Sequence, residues 1–393
     1  MKTDSLKYIS ASFLAAVPFV LFSRTDNRPN IVIILADDMG FSDIGCYGGE
    51  IETPHLNRLA ENGIRFTHFY NAGRSCPTRA SLLRGLYPHQ AGVGRMTFDD
   101  HQPGYRGTMT HNGVTIAEVL KESGYQTGMV GKWHVAETPL RSDQRLWLAH
   151  QVFHEEFAPK DNYPVNRGFQ DYYGTIYGVV NYFDPFSLVN GDQPVREVPD
   201  NYYTTIAYAD SAVSYINRYS CSDKPFFLYL AFNSPHWPLH ALPEDIKKYE
   251  DTYKVGWEKI REDRYIRMKK MKLFGDIDHF LSPRAFADSW EENSTREWDA
   301  RAMAVHAAMI DRMDQEIGKV IDALEKTGEL ENTLILFLSD NGASNEDCQN
   351  YSPGENDRRP GLGRLGMQVG AHLEEVRRCG HRRRRRGGAA QLL

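Results

Sequence analysis

Asn30 to Ala36, Asn-Ile-Val-Ile-Ile-Leu-Ala, is an unbroken apolar and largely β-branched run that stops at Asp37-Asp38-Met39-Gly40. A strand without polar alternation has both faces buried, so it needs a covering layer on each side, as in a parallel sheet flanked by helices. Three later segments repeat the arrangement. Tyr125 to Val130 runs into Gly131-Lys132-Trp133-His134, Pro225 to Phe232 into Asn233-Ser234-Pro235-His236, and Thr333 to Leu338 into Ser339-Asp340-Asn341-Gly342. Helical stretches lie between them. Thr53-Pro54 opens one over His55 to Glu61, closed by Asn62-Gly63; another covers Val114 to Glu122 and stops at Gly124. Ser294 to Lys326 carries Met303, Met309, Ile310, Met313, Ile317, Val320, Ile321 and Leu324 at helical steps and ends at Thr327-Gly328. This alternation predicts an α/β fold with a largely parallel central sheet flanked by helices. Ligands of such sheets bind at the carboxyl ends of strands, and here every strand ends in chemically capable residues. Leu140 to Tyr215, rich in Tyr, Asn, Asp and Pro, reads as long surface loops of the kind that select a substrate.

Composition narrows the class. The chain has 393 residues, 41% hydrophobic and 25% charged, which excludes a disordered, collagenous or coiled-coil protein. A net charge of −6 speaks against a nucleic-acid binder. Five sparse cysteines, Cys46, Cys76, Cys221, Cys348 and Cys379, make neither a disulfide scaffold nor a zinc-ligand spacing. Lys2 and Lys7 precede an apolar run from Ile9 to Phe22, which predicts an export signal over residues 1–24; no later segment is long and apolar enough for a membrane span.

Two acidic pairs, Asp37-Asp38 and Asp340-Asn341, terminate apolar strands and each leads into a glycine. Three carboxylates and an amide oxygen form a hard-oxygen set suited to Ca²⁺ or Mg²⁺. Between them lies Ser75-Cys76-Pro77-Thr78-Arg79-Ala80-Ser81-Leu82-Leu83-Arg84-Gly85. Pro77 as first helical residue would put Ser75 and Cys76 at a helix entrance, where free amides and the helix dipole attract anions. Arg79, one turn in, would point back at the same place. Ser75, a metal, backbone amides and Arg79 would then surround a tetrahedral oxyanion.

That segment resembles the signature of the type I sulfatases, [CS]-x-P-x-R-x-x-x-L-x-G, met by Ser75, Pro77, Arg79, Leu83 and Gly85. The run through Asp37-Asp38 resembles the family's first metal-binding strand, and the blocks at Gly131–His134, Ser234–His236 and Ser339–Gly342 resemble the others in the family's order. The resemblance covers residues 28–362 and implies an alkaline-phosphatase-like fold hydrolysing aryl or carbohydrate sulfate esters. It implies that Ser75 is converted to formylglycine, whose hydrate attacks sulfur with one hydroxyl and expels sulfate with the other; an unmodified serine would stay sulfated. Modification of Cys76 would put proline and arginine out of register. A serine-type site implies maturation by a radical-SAM enzyme in a bacterial, periplasmic or secreted setting. By resemblance, Asp37, Asp38, Ser75, Asp340 and Asn341 bind one Ca²⁺, with Mg²⁺ as the alternative. Arg79 and Lys132 stabilise charge, His134 assists the hydrate, and His236 contacts the sulfate or protonates the leaving alkoxide. His89, His240 and His306 are read as structural.

The family has a further lysine after the Asp-Asn pair, leading into a C-terminal subdomain. Residues 363–393 match none of it: eight arginines, five of them consecutive from Arg382, stand without lysine or aromatic residues. A basic arm and a frameshifted terminus replacing the subdomain both fit, and the absence of helical period favours the second. Two other functions stay open. One is a phosphoester hydrolase of the same superfamily with Ser75 unmodified, against which Asn341 stands where histidine is usual. The other is a catalytically impaired binder of sulfated glycans.

Overall fold

The computed structural model describes residues 26–138, 156–275, 281 and 289–344; the expected export signal and the arginine-rich tail lie outside the described residues. Within them, β1 (Asn30–Ala36), β2 (Gln126–Gly131), β3 (Asp171–Thr175), β4 (Leu188–Asn190), β5 (Gln193–Pro194), β6 (Phe226–Ala231) and β7 (Thr333–Ser339) form one sheet ordered β5-β4-β3-β2-β6-β1-β7. β3, β2, β6, β1 and β7 run parallel, and β4 and β5 turn back antiparallel at one side.

The unbroken apolar runs of β1 and β6 are explained by two cores, whereas β7 departs from the expectation, with Leu334 50% and Leu336 40% exposed on one face. Along β1, Val32, Ile34 and Ala36 join the core on one face, while Ile33 and Leu35 join the core on the other. The first core lies under α5 (Thr204–Tyr219) and α8 (Arg296–Lys326), whose Met309, Ile310, Met313, Ile317 and Val320 are fully buried. The second lies under α2 (Ser75–Arg84), through Cys76, Ala80 and Leu83, together with Trp133 and Phe169. Each fully buried aliphatic side chain contributes roughly 1.5–3 kcal/mol, so β1, covered on both sides, anchors the sheet.

The smaller helices are α1 (Pro54–Glu61), α3 (Pro88–Ala91), α4 (Ile116–Glu122), α6 (Pro243–Lys248) and α7 (Trp257–Lys270). Thr115 caps α4, accepting from the Glu118 amide at 3.1 Å, and Glu118 returns the contact to the Thr115 amide at 2.6 Å. α1 has no side-chain cap of its own. The Asp314 carboxylate of α8 instead accepts from the His55 and Leu56 amides at 3.1 and 2.8 Å.

Two expectations are corrected. Residues 156–215 are not surface loops: they hold β3, β4, β5 and most of α5, with Tyr163, Tyr172, Tyr182 and Tyr208 all buried. The tyrosines that looked like loop residues bury their rings and spend their hydroxyls on hydrogen bonds, as Tyr172 does to the Gly131 carbonyl at 3.1 Å. Helix α2 begins at Ser75, two residues ahead of Pro77. Proline fits there because the first four amides of a helix have no intrahelical acceptor to lose.

Candidate active site

All four strand ends that the sequence singled out open on the same side of the sheet. β1, β2, β6 and β7 are parallel and adjacent, so Asp37-Asp38, Lys132–His134, Ser234–His236 and Asp340-Asn341 emerge together. The N-terminus of α2 meets them. Ser75 Oγ donates to Asp37 Oδ1 at 2.9 Å, and Asn341 Oδ1 lies 3.3 Å from the same hydroxyl. Cys76, one residue on, points the other way: its thiol is buried against Met96 in the core, and burial pushes it up to about 12.

Arg79 is fully buried and reaches back as its helical position requires. Its Nε and Nη2 each lie 2.9 Å from Asp340 Oδ2, Nη2 lies 3.5 Å from Asp37 Oδ1, and Nη1 donates to the Lys132 carbonyl at 2.8 Å. The Lys132 ammonium is ion-paired to Asp37 Oδ2. The Asp38 amide donates to Asp340 Oδ1 at 3.3 Å, and Asn341 Nδ2 donates to Asp38 Oδ1. His236 Nδ1 faces the Trp237 carbonyl, which only accepts, so a neutral ring leaves the Nε2 lone pair free; Nε2 lies 3.4 Å from Asp38 Oδ2.

Three carboxylates thus converge on two full cations in a buried site. Burial raises Asp37, but Lys132, His236 and Arg79 outweigh it and hold the carboxyl below its ordinary value. Asp340 goes the other way: burial, with Asp37 beside it, raises it to about 6 despite Arg79 and Lys132. Three carboxylates against two full cations leave a surplus of negative charge that a bound cation would relieve. The oxygens of Asp37, Asp38 and Asp340 suit a hard cation, and the ligand atoms of Asp37, Asp38 and His236 lie within 4.8 Å of one another. His236 therefore stands beside the cation cradle.

His134 follows β2 in a left-handed backbone conformation, φ 56°, and is 3% exposed. Burial, then Lys132 and Arg79, push its imidazole well below the ordinary value, so the ring is neutral. Its Nδ1 has no hydrogen-bond partner among the described residues. Every site residue expected from the sequence thus lies at this one corner of the fold. Three contributors were not anticipated. Ser339 Oγ accepts from the Met39 amide at 3.1 Å and donates to the Asn341 carbonyl at 2.7 Å, tying the two acidic loops together. Asp43 accepts from the Gly40 amide at 2.7 Å and is ion-paired with Arg264 of α7. Gly178 packs on His134. Ser339 sat inside a quoted block; the other two carry no local signal.

The sulfatase family model matches residues 29–364, and the chain belongs to that family. An arylsulfatase of Klebsiella aerogenes is 35% identical over 349 residues, spanning 84% of this chain and 70% of that protein. An uncharacterized sulfatase of Schizosaccharomyces pombe is 34% identical over 345 residues, spanning 80% of this chain and 58% of that protein. Among solved structures, Ps i-CgsB in complex with k-i-k-neocarrahexaose is 28% identical, with a TM-score of 0.56, covering 81% of this chain and 59% of that one. The chain therefore spans between 58% and 70% of the length of these relatives.

Proposed function

We propose that the protein is an exported sulfatase that hydrolyses aryl or carbohydrate sulfate esters with a formylglycine at position 75 and one Ca²⁺, Mg²⁺ being the alternative ion. The observation that carries this reading is the placement of Ser75 Oγ, at the start of a helix, hydrogen-bonded to Asp37 and beside Asn341 Oδ1. Maturation by a radical-SAM enzyme would give position 75 a hydrated aldehyde, with one hydroxyl to attack sulfur and a second to let sulfate leave. Asp37, Asp38, Asp340 and Asn341 would hold the cation, which supplies a positive charge against the sulfate oxygens. Arg79 and Lys132 keep fixed positive charge beside position 75, where negative charge grows as sulfur is attacked. His134, neutral and buried, accepts a proton from the hydrate. His236, when protonated, would give its own proton to the departing alkoxide and regain one from solvent. The first apolar run of the chain supports export, and the arylsulfatase relative and the k-i-k-neocarrahexaose held by Ps i-CgsB support the substrate class.

Co-expression with a serine-type maturase, followed by mass spectrometry of the peptide Arg74 to Arg79 and an aryl sulfate assay, tests this. The expected result is loss of two hydrogens at Ser75 together with turnover. Modification at Cys76, or turnover of a phosphate ester by unmodified protein in place of the sulfate, would overturn it.

A further inference from the structure

Imidazoles that work in proton transfer are commonly held in one orientation by a hydrogen bond to the second ring nitrogen. His134 lacks that bond at Nδ1 among the described residues, so packing has to set its ring plane. The segment just after β3 supplies the packing from three directions. The Ile176 carbonyl accepts from the His134 amide at 3.2 Å. The Tyr177 ring stands at 68° to the imidazole, with centroids 6.3 Å apart. Gly178 covers a face. A Cβ placed on Gly178 would stand 2.2, 2.3 and 2.4 Å from His134 Cε1, Nε2 and Nδ1. Near-equal distances to three consecutive ring atoms put the glycine above the plane; an edge-on approach would leave both nitrogens well beyond the carbon.

Gly178 does not have a left-handed φ, so alanine could adopt its backbone conformation, and the three atoms nearest a methyl group there all belong to the imidazole. The ring has little room to yield, because His134 is buried and its own backbone is fixed at φ 56°. We propose that Gly178 is a positioning residue for the sulfate-ester reaction, setting the plane of the His134 imidazole by direct face contact. This rests on the catalytic reading of His134 given above.

Four forms of the full chain test it: wild type, Gly178→Ala, His134→Ala and the double variant. Gly178→Ala is expected to lower kcat by about 10²-fold with little change in KM, the cost of misplacing a catalytic group by about 1 Å. In the His134→Ala background the same substitution should change kcat by less than about twofold, since nothing remains to displace. The urea midpoint reports the contact without reference to chemistry: Gly178→Ala should lower it in wild type and leave it unchanged in His134→Ala. Equal losses with and without His134 overturn the proposal. If Gly178→Ala alone does not fold, recovery in the double variant supports the contact and failure to recover overturns it. Full turnover by His134→Ala, with the midpoints still coupled, overturns the catalytic role and leaves a packing contact only.

Discussion

Ser75 and Cys76 are neighbours in the chain and opposites in surroundings: one hydroxyl faces carboxylates, one thiol faces methionine and the core. Ser75→Ala should abolish sulfate ester turnover, while Cys76→Ala should keep it and lose about 1–2 kcal/mol of stability through the cavity left behind, read by urea unfolding. Asp340→Ala removes an anionic ligand and the partner of Arg79, leaving a buried guanidinium with less compensation; the expected loss is complete activity, and full activity in that variant would refute the cation cradle. His240, read from the sequence as structural, is buried in the fold between Tyr182, Phe183 and Tyr203. Burial lowers it from 6.5 to about 4. Below pH 6.5 the unfolded chain takes up a proton that the folded protein refuses, so stability from this group is full above that pH and declines towards pH 4. The loss across the window is ~3 kcal/mol. His240→Gln should flatten that part of the stability–pH curve; an unchanged slope would show that another group sets it. The acidic pairs and the Ser75 motif were readable because each is contiguous. Gly178 and Asp43 were not, because their roles lie in contacts with His134 and the Gly40 amide that no local pattern encodes.

At the scale of elements, β1, β2, β6 and β7 were legible to within a residue or two; in β1 and β6 burial on both faces forces a continuous apolar run, while β7 carries such a run with Leu334 and Leu336 exposed on one face. α8 was legible because its apolar stripe repeats over 31 residues. α5 was not, although Tyr208, Ala209, Ala212, Ile216 and Tyr219 are buried at helical spacing; tyrosine and alanine blur a stripe that leucine would have made plain. β3, Asp-Tyr-Tyr-Gly-Thr, has a polar look because its tyrosines carry hydroxyls into hydrogen bonds. The pairing of α1 with α8 through Asp314 was also beyond reach, since a carboxylate that caps another helix has no sequence mark. Asp314→Ala leaves two α1 amides without an acceptor. It should cost about 1–3 kcal/mol in urea unfolding, with cation affinity unchanged.

At the scale of the molecule, the acidic surplus at the strand ends links cation binding to the stability of the whole sheet. A cation that binds only the folded state adds about 2.7 kcal/mol at a hundredfold excess over its Kd. Calcium should therefore raise the melting temperature, a chelator should reverse the rise, and Asp340→Ala should show neither. Parallel architecture was legible from the alternation of strands and helices; the strand order was not, because it is fixed by pairings remote in sequence. β1 shows the result most plainly. Its two neighbours begin at Phe226 and Thr333, and Asp38 meets Asn341 across 303 positions. During synthesis at about 5–20 residues per second, the most apolar strand of the protein leaves the ribosome first and then waits roughly 15–60 s for its last partner. Slower translation or a holdase on the nascent chain should therefore change the soluble yield through this first strand, and a yield insensitive to both would show that its wait is harmless.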